Sequence, residues 1–248
     1  MRWIRVVHAE LIKLTTTRLL WGFLAALVAT AAINALAIIL GTDMDGSKTF
    51  IATAEDQRSL LAFGVNALLG TGLFGAIAVA REYGHTTVVP TFLSTPRRHL
   101  AVSAQFTAVM LGGIVLGLLA EALVLSVGAV SLQFTDYSFM LTAGMILQLL
   151  ATSMLAGGVG AVLGAGIGAI VRNGGGAVAV TILVLFIAPQ MVPQLAADAA
   201  EWMPATLLTS IAGVADGPTL AAAIGALLAW ALAMSVLAIG TVQRRDVV

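Results

Sequence analysis

Long apolar runs alternate with short polar stretches along nearly the whole chain. Leu19 to Leu40 holds about 22 residues without a charge, enough to cross roughly 30 Å of hydrocarbon as a helix. Comparable runs follow at Leu60 to Ala80, Leu100 to Val130, Phe139 to Val171, Gly175 to Val192 and Thr219 to Gly240. The fold class this predicts is an all-α integral membrane domain covering 1–248, with six transmembrane helices. The run at 139–171 exceeds what a straight crossing needs, which predicts a tilted or projecting helix.

The polar stretches carry their own patterns. In Met1 to Arg18, Trp3, Ile4, Val7, Leu11 and Leu14 recur at three- and four-residue spacing, so they share one face of a helix. With Arg2, Arg5 and Lys13 pointing elsewhere, the segment reads either as a helix lying in the headgroup plane or as a plain basic leader to the first span. Pro189 and Pro193 lack amide donors and predict an end to the fifth helix. Gln194 to Asp216 then mixes Leu195, Trp202, Leu207, Leu208 and Ile211 with Asp198 and Glu201. It reads as short helices dipping into the outer leaflet, or as an amphipathic surface loop.

Composition fits this picture. Of 248 residues, 60% are hydrophobic and only 10% charged, where a soluble domain carries about a quarter charged. The mean hydropathy is +1.03. Ten of the twelve Lys and Arg (Arg2, Arg5, Lys13, Arg18, Arg81, Arg97, Arg98, Arg172, Arg244, Arg245) fall on one side of the expected topology, leaving Lys48 and Arg58 on the other. The excess of positive charge marks the cytoplasmic side, so both termini are expected in the cytoplasm of a multi-pass plasma-membrane protein.

Candidate chemistry is sparse. Cysteine is absent, and His8, His85 and His99 have no metal-ligand spacing. No Gly-x-x-x-x-Gly-Lys-Ser/Thr loop is present, so a P-loop for nucleotide phosphates is missing. Gly160, Gly164 and Gly168 lie four apart on one helix face, and Gly113 and Gly117 repeat the spacing; such rows let helix backbones approach closely, within one chain or across a dimer. Glu121 is the one carboxylate inside a span. It either takes part in proton or substrate movement or is a hydrogen-bonded group near the outer end of its helix, meeting a partner such as Gln148.

The polar island between the second and third spans, 81–99, is the most patterned loop. Tyr83, Val88, Val89, Phe92 and Leu93 supply a small apolar surface able to dock on a partner, and Pro90 is tolerated in the first turn of a short helix. Pro96 would end that helix, with Arg97 and Arg98 anchoring the next span at the headgroups. An ordinary loop whose arginines only set topology is the alternative.

Arg81-Glu82-Tyr83, then Thr87, then Leu93-Ser94-Thr95-Pro96-Arg97-Arg98 resembles the cytoplasmic segment of type-two ABC exporter permeases, above all the bacterial drug and peptide-antibiotic export group. The topology is similar over the whole chain; the local motif covers under twenty residues. Thr86 stands where that family has a glycine, and Pro90 falls inside the coupling helix. The resemblance implies a non-enzymatic membrane subunit that binds no cofactor itself. ATP and Mg would be bound by a separate cytoplasmic ATPase present in two copies, and a second permease chain, membrane lipid and no nucleic acid complete the expected partners. It assigns ATPase coupling to Glu82, Tyr83, Thr87, Phe92 and Leu93, and loop anchoring to Arg97 and Arg98. The expected activity is export of a hydrophobic or amphipathic compound, such as a drug, a peptide antibiotic or a lipid-like molecule. An ion-coupled carrier using Glu121, an integral-membrane enzyme and a non-transporting membrane anchor for a soluble partner are the rival readings.

Overall fold

The computed structural model describes residues 2–44, 46–84 and 98–244. Its regular elements are helical, with no strand among the described residues. In chain order they are α1 (Arg2–Thr16), α2 (Arg18–Leu40), a 3-10 turn at Thr49–Ile51, α3 (Ala54–Leu61), α4 (Gly64–Gly84), α5 (Arg98–Leu132), α6 (Ala143–Val171), α7 (Gly174–Ile182), α8 (Ala188–Leu195), α9 (Ala197–Ala200), α10 (Pro204–Ile211) and α11 (Leu220–Arg244). Six helical stretches are long and apolar enough to cross a membrane, which makes this a multi-pass membrane protein: α2, α3 with α4, α5, α6, α7 with α8, and α11.

Local chemistry sets the ends of these helices. Lys48 Nζ donates to the carbonyls of Ile38 and Ile39 at 3.1 and 2.6 Å, satisfying the last turn of α2. Thr53 and Asp56 form a reciprocal capping box at the start of α3. The run expected to begin at Leu60 is broken at Ala62 and Phe63, and the long second helix starts only at Gly64. The fourth helix starts at Ala143 rather than Phe139, because Thr142 caps it by accepting from the Met145 amide. Upstream of that cap, the Met140 amide donates to Gln57 Oε1 at 2.9 Å instead of entering a helix.

The prolines do not act as expected. Pro189 and Pro193 do not end the fifth helix, which continues to Leu195. The reason lies one turn earlier, where Leu183–Ile187 forms a π turn and the Ala188 amide reaches back five residues to the Leu183 carbonyl. The wider turn shifts the hydrogen-bond register immediately before Pro189, which then sits in the first turn of α8, where a missing donor costs little.

The core is organised around α6, the glycine-rich fourth span, whose residues Ala156 to Ala169 are buried throughout. Its Gly160, Gly164 and Gly168 lie against the backbones of Leu68, Gly72 and Ala76 in α4, and a Cβ at any of the three would run into a main-chain carbonyl there. On the other side, Gly113 and Gly117 of α5 meet Gly157 and Ser153 equally closely. The rows therefore pack helices within one chain. α2, α7, the π turn that follows it, α8 and α11 form the outside, leaving Trp21, Val28, Leu36, Phe186, Met191, Leu228, Leu232 and Val236 exposed.

The segment between the fifth and sixth spans is two short helices rather than a surface loop. α10 buries Leu207, Leu208 and Ile211 in the main core, against α11, α4 and α6. At the opposite end of the bundle, α1 crosses α5 and packs Val7 against Ala104 and Ala108. Its inward face is not quite the apolar one read from spacing. Glu10 is buried at 6% exposure, while Ile4 is 66% exposed.

Candidate functional site

One end of the bundle gathers the basic residues, since α2 starts at Arg18, α4 carries Arg81 in its last turn, α5 starts at Arg98 and α11 ends at Arg244. Here α1 is fastened to the spans by polar contacts. Lys13 Nζ lies 2.7 Å from Glu10 Oε1 on its own helix and 3.2 Å from Glu82 Oε1 at the end of α4. Trp3 Nε1 donates to Ser103 Oγ of α5 at 3.2 Å. Glu82, picked out of the polar island by its sequence, thus belongs to a three-residue ionic cluster joining α1 and α4.

Burial by itself pulls the Lys13 ammonium down. The hydrogen bond to Glu10 and the charges of Glu82 and Glu10 outweigh it, so its pKa stands above the ordinary lysine value. With the folded pKa raised, the stabilisation is complete below the ordinary lysine pKa and is lost only as pH rises through the higher folded value. The Lys13 ammonium accordingly keeps its charge across the neutral range.

Tyr83 faces a different partner. Arg172 adopts a left-handed conformation (φ 56°) as the cap of α6, which turns its guanidinium over the Tyr83 ring at 5.1 Å from the centroid. Its Nε and Nη2 are buried without a hydrogen-bond acceptor among the described residues. Together, Glu82 and Tyr83 link the end of α4 to α1 on one side and to the end of α6 on the other. Thr87, Phe92, Leu93 and Arg97 lie outside the described residues, as does the Arg98 side chain.

The second candidate lies far from this end. Glu121 is 23 residues along α5 from Arg98, about 35 Å at 1.5 Å per residue. It is fully buried, not near water as its place late in the run implied. Its Oε2 accepts from the Phe63 amide at 3.1 Å and from the Ser153 hydroxyl in a short hydrogen bond, while Oε1 has no partner. Gln148 is not its partner. That side chain accepts from Arg58 Nη2 at 2.6 Å and donates to the Ile211 carbonyl at 2.6 Å, which engages it with α3 and α10. Glu121 instead ties α5 to α6 and to the break before α4, capping a helix start whose amide would otherwise be orphaned.

Sequence reasoning missed Lys13, Glu10, Ser153 and Arg172 as partners. Only the Glu10–Lys13 spacing, three apart on one helix, was visible as a local signal. The described residues contain no group of three or more His, Cys, Asp or Glu able to hold a metal ion. The chain matches no protein-family model and no curated protein sequence.

Proposed function

We propose that this chain is the membrane subunit of an ATP-driven exporter of the type-two ABC permease kind, moving a hydrophobic or amphipathic compound out across the plasma membrane. The observation that carries the reading is the Lys13–Glu82 contact, which fastens the N-terminal helix to the root of the patterned island. A push delivered to 81–99 by a soluble partner would pass directly into both α1 and the second span. The charge asymmetry sets both termini and the island on the cytoplasmic side on this reading, with α1 at the inner headgroups and α9 and α10 outside. Two permease chains and two ATPase subunits, which hold ATP and Mg, complete the assembly.

The test is capture of the chain from mildly solubilised membranes, followed by ATPase assay of what accompanies it. A soluble ATPase is expected in stoichiometric amount. Glu82→Ala is expected to leave the complex assembled while lowering substrate-stimulated hydrolysis. Unchanged stimulation in that variant counts against the coupling role, and recovery of the chain alone counts against the class.

The unpartnered Oε1 of Glu121 favours one other reading, an ion-coupled carrier. Transport driven by a proton gradient, indifferent to ATP and lost in Glu121→Gln, would decide for it.

A further inference from the structure

A cavity of about 260 Å³ lies between α2, α4 and α5. Its walls include Phe23 and Leu27 of α2, Leu69 and Leu73 of α4, and Leu116 of α5. No charged side chain lines it. Glu121 sits behind Phe63, one oxygen committed to that residue's amide and to Ser153. A charged ligand would therefore meet no counter-ion and would lose its hydration.

The polar lining is unequal. The hydroxyl protons of Thr30 and Thr71 are donated to the carbonyls of Ala26 and Ala67 at 2.9 and 2.7 Å. Asn66 differs. It is exposed at the mouth of the cavity, and its carboxamide bonds to no described residue. Asn34, by contrast, returns its amide to the Thr30 carbonyl at 3.0 Å. An unpaired carboxamide on a membrane-spanning helix is costly in hydrocarbon and calls for a polar partner.

We infer that this cavity binds a neutral amphiphile, its apolar body among Phe23, Leu27 and Leu116 and its hydroxyl or amide group on Asn66. The volume holds roughly nine groups of water's size, at about 30 Å³ each, the bulk of a medium-chain alcohol. This goes beyond the transport reading and stands whether or not an ATPase is the partner. Gly70 on the wall gives the means to test it, because a Cβ added there meets nothing within 4 Å.

The experiment uses the full chain in phosphatidylcholine nanodiscs. The probe is a diazirine-bearing octanol, with the matching diazirine-bearing octane as control, and labelled peptides are mapped by mass spectrometry. Saturable alcohol labelling is expected around Phe23 and Asn66, suppressed by excess plain octanol and reduced about tenfold in Gly70→Phe. In Asn66→Leu the preference for alcohol over alkane is expected to fall about fivefold, the equivalent of one neutral hydrogen bond. Should Gly70→Phe fail to fold, Ala26→Trp obstructs the mouth from an exposed position.

Labelling spread evenly over α2, α7 and α11 without saturation would overturn the site, as would an unchanged pattern in the filled variants. Equal alcohol and alkane labelling of the native chain would overturn the role of Asn66. Because the chain has no cysteine, Gly70→Cys adds a sole thiol. Its ready oxidation to a linked dimer would show that a second copy covers the cavity, and would overturn the ligand assignment.

Discussion

Glu121 does with one oxygen what a helix cap does at a surface, and it does so where no water competes. Removing it in Glu121→Ala strands the Phe63 amide and the Ser153 hydroxyl in the interior. The stranded amide alone costs about 1–3 kcal/mol, and a lowered midpoint is expected in thermal unfolding followed by tryptophan fluorescence in detergent. Glu121→Gln keeps an acceptor for both donors and is expected to melt close to the native chain. An alanine variant as stable as the native one would remove the capping role. The sequence made Glu121 conspicuous, as a carboxylate amid apolar residues, but hid what it touches. Its partners stand 58 and 32 positions away, and only tertiary packing brings them together. Gln148 shares the expected depth of Glu121, but Arg58, on a short helix that the apolar pattern does not announce, bonds to it instead.

The glycines of α6 work as an element rather than singly. A side chain at Gly164 would be driven into the Gly72 carbonyl, and backbone cannot step aside as a flexible side chain can. Gly164→Val is therefore expected to part α4 from α6 and to abolish recovery of monodisperse protein. Gly225→Ala, with open space around it, is expected to be neutral or to gain about 0.5–1 kcal/mol; size-exclusion profiles and melting compare the two. The four-residue spacing was legible in the sequence, whereas its partner helix was not, because rows in α5 and α6 were equally eligible. The π turn before Pro189 was illegible for a related reason. A proline reports its missing donor, and the register of the preceding turn decides whether that matters. Between α1 and α4 the tie is electrostatic. Lys13→Glu sets like charges around Glu10 and Glu82, and adding Glu82→Lys restores an attractive pair. A coupling of about 1 kcal/mol, within the range for a partly exposed pair, is expected from the double-mutant cycle.

At the scale of the molecule, the alternation of apolar runs carried the all-helical, six-span character. The existence of six candidate spans was legible. Their ranking by burial was not, since α2 and α6 are similarly apolar and yet sit at the rim and the centre. The topology is open to a direct check, because the chain lacks cysteine and any introduced thiol is unique. Gln133→Cys and Gln243→Cys, both at exposed positions, are expected to react with an impermeant maleimide from opposite sides. On the proposed orientation, the first labels in intact cells and the second only after permeabilisation. Labelling of both from one side would reject the arrangement of spans. The central place of α6 also sets an order of assembly. α4 and α5, which its glycine rows face, leave the ribosome before it, whereas α11, whose Met234 covers Gly166, leaves after. The fourth span is thus received by two neighbours already made, and the notch at Gly166 stays open until the last helix arrives to close it.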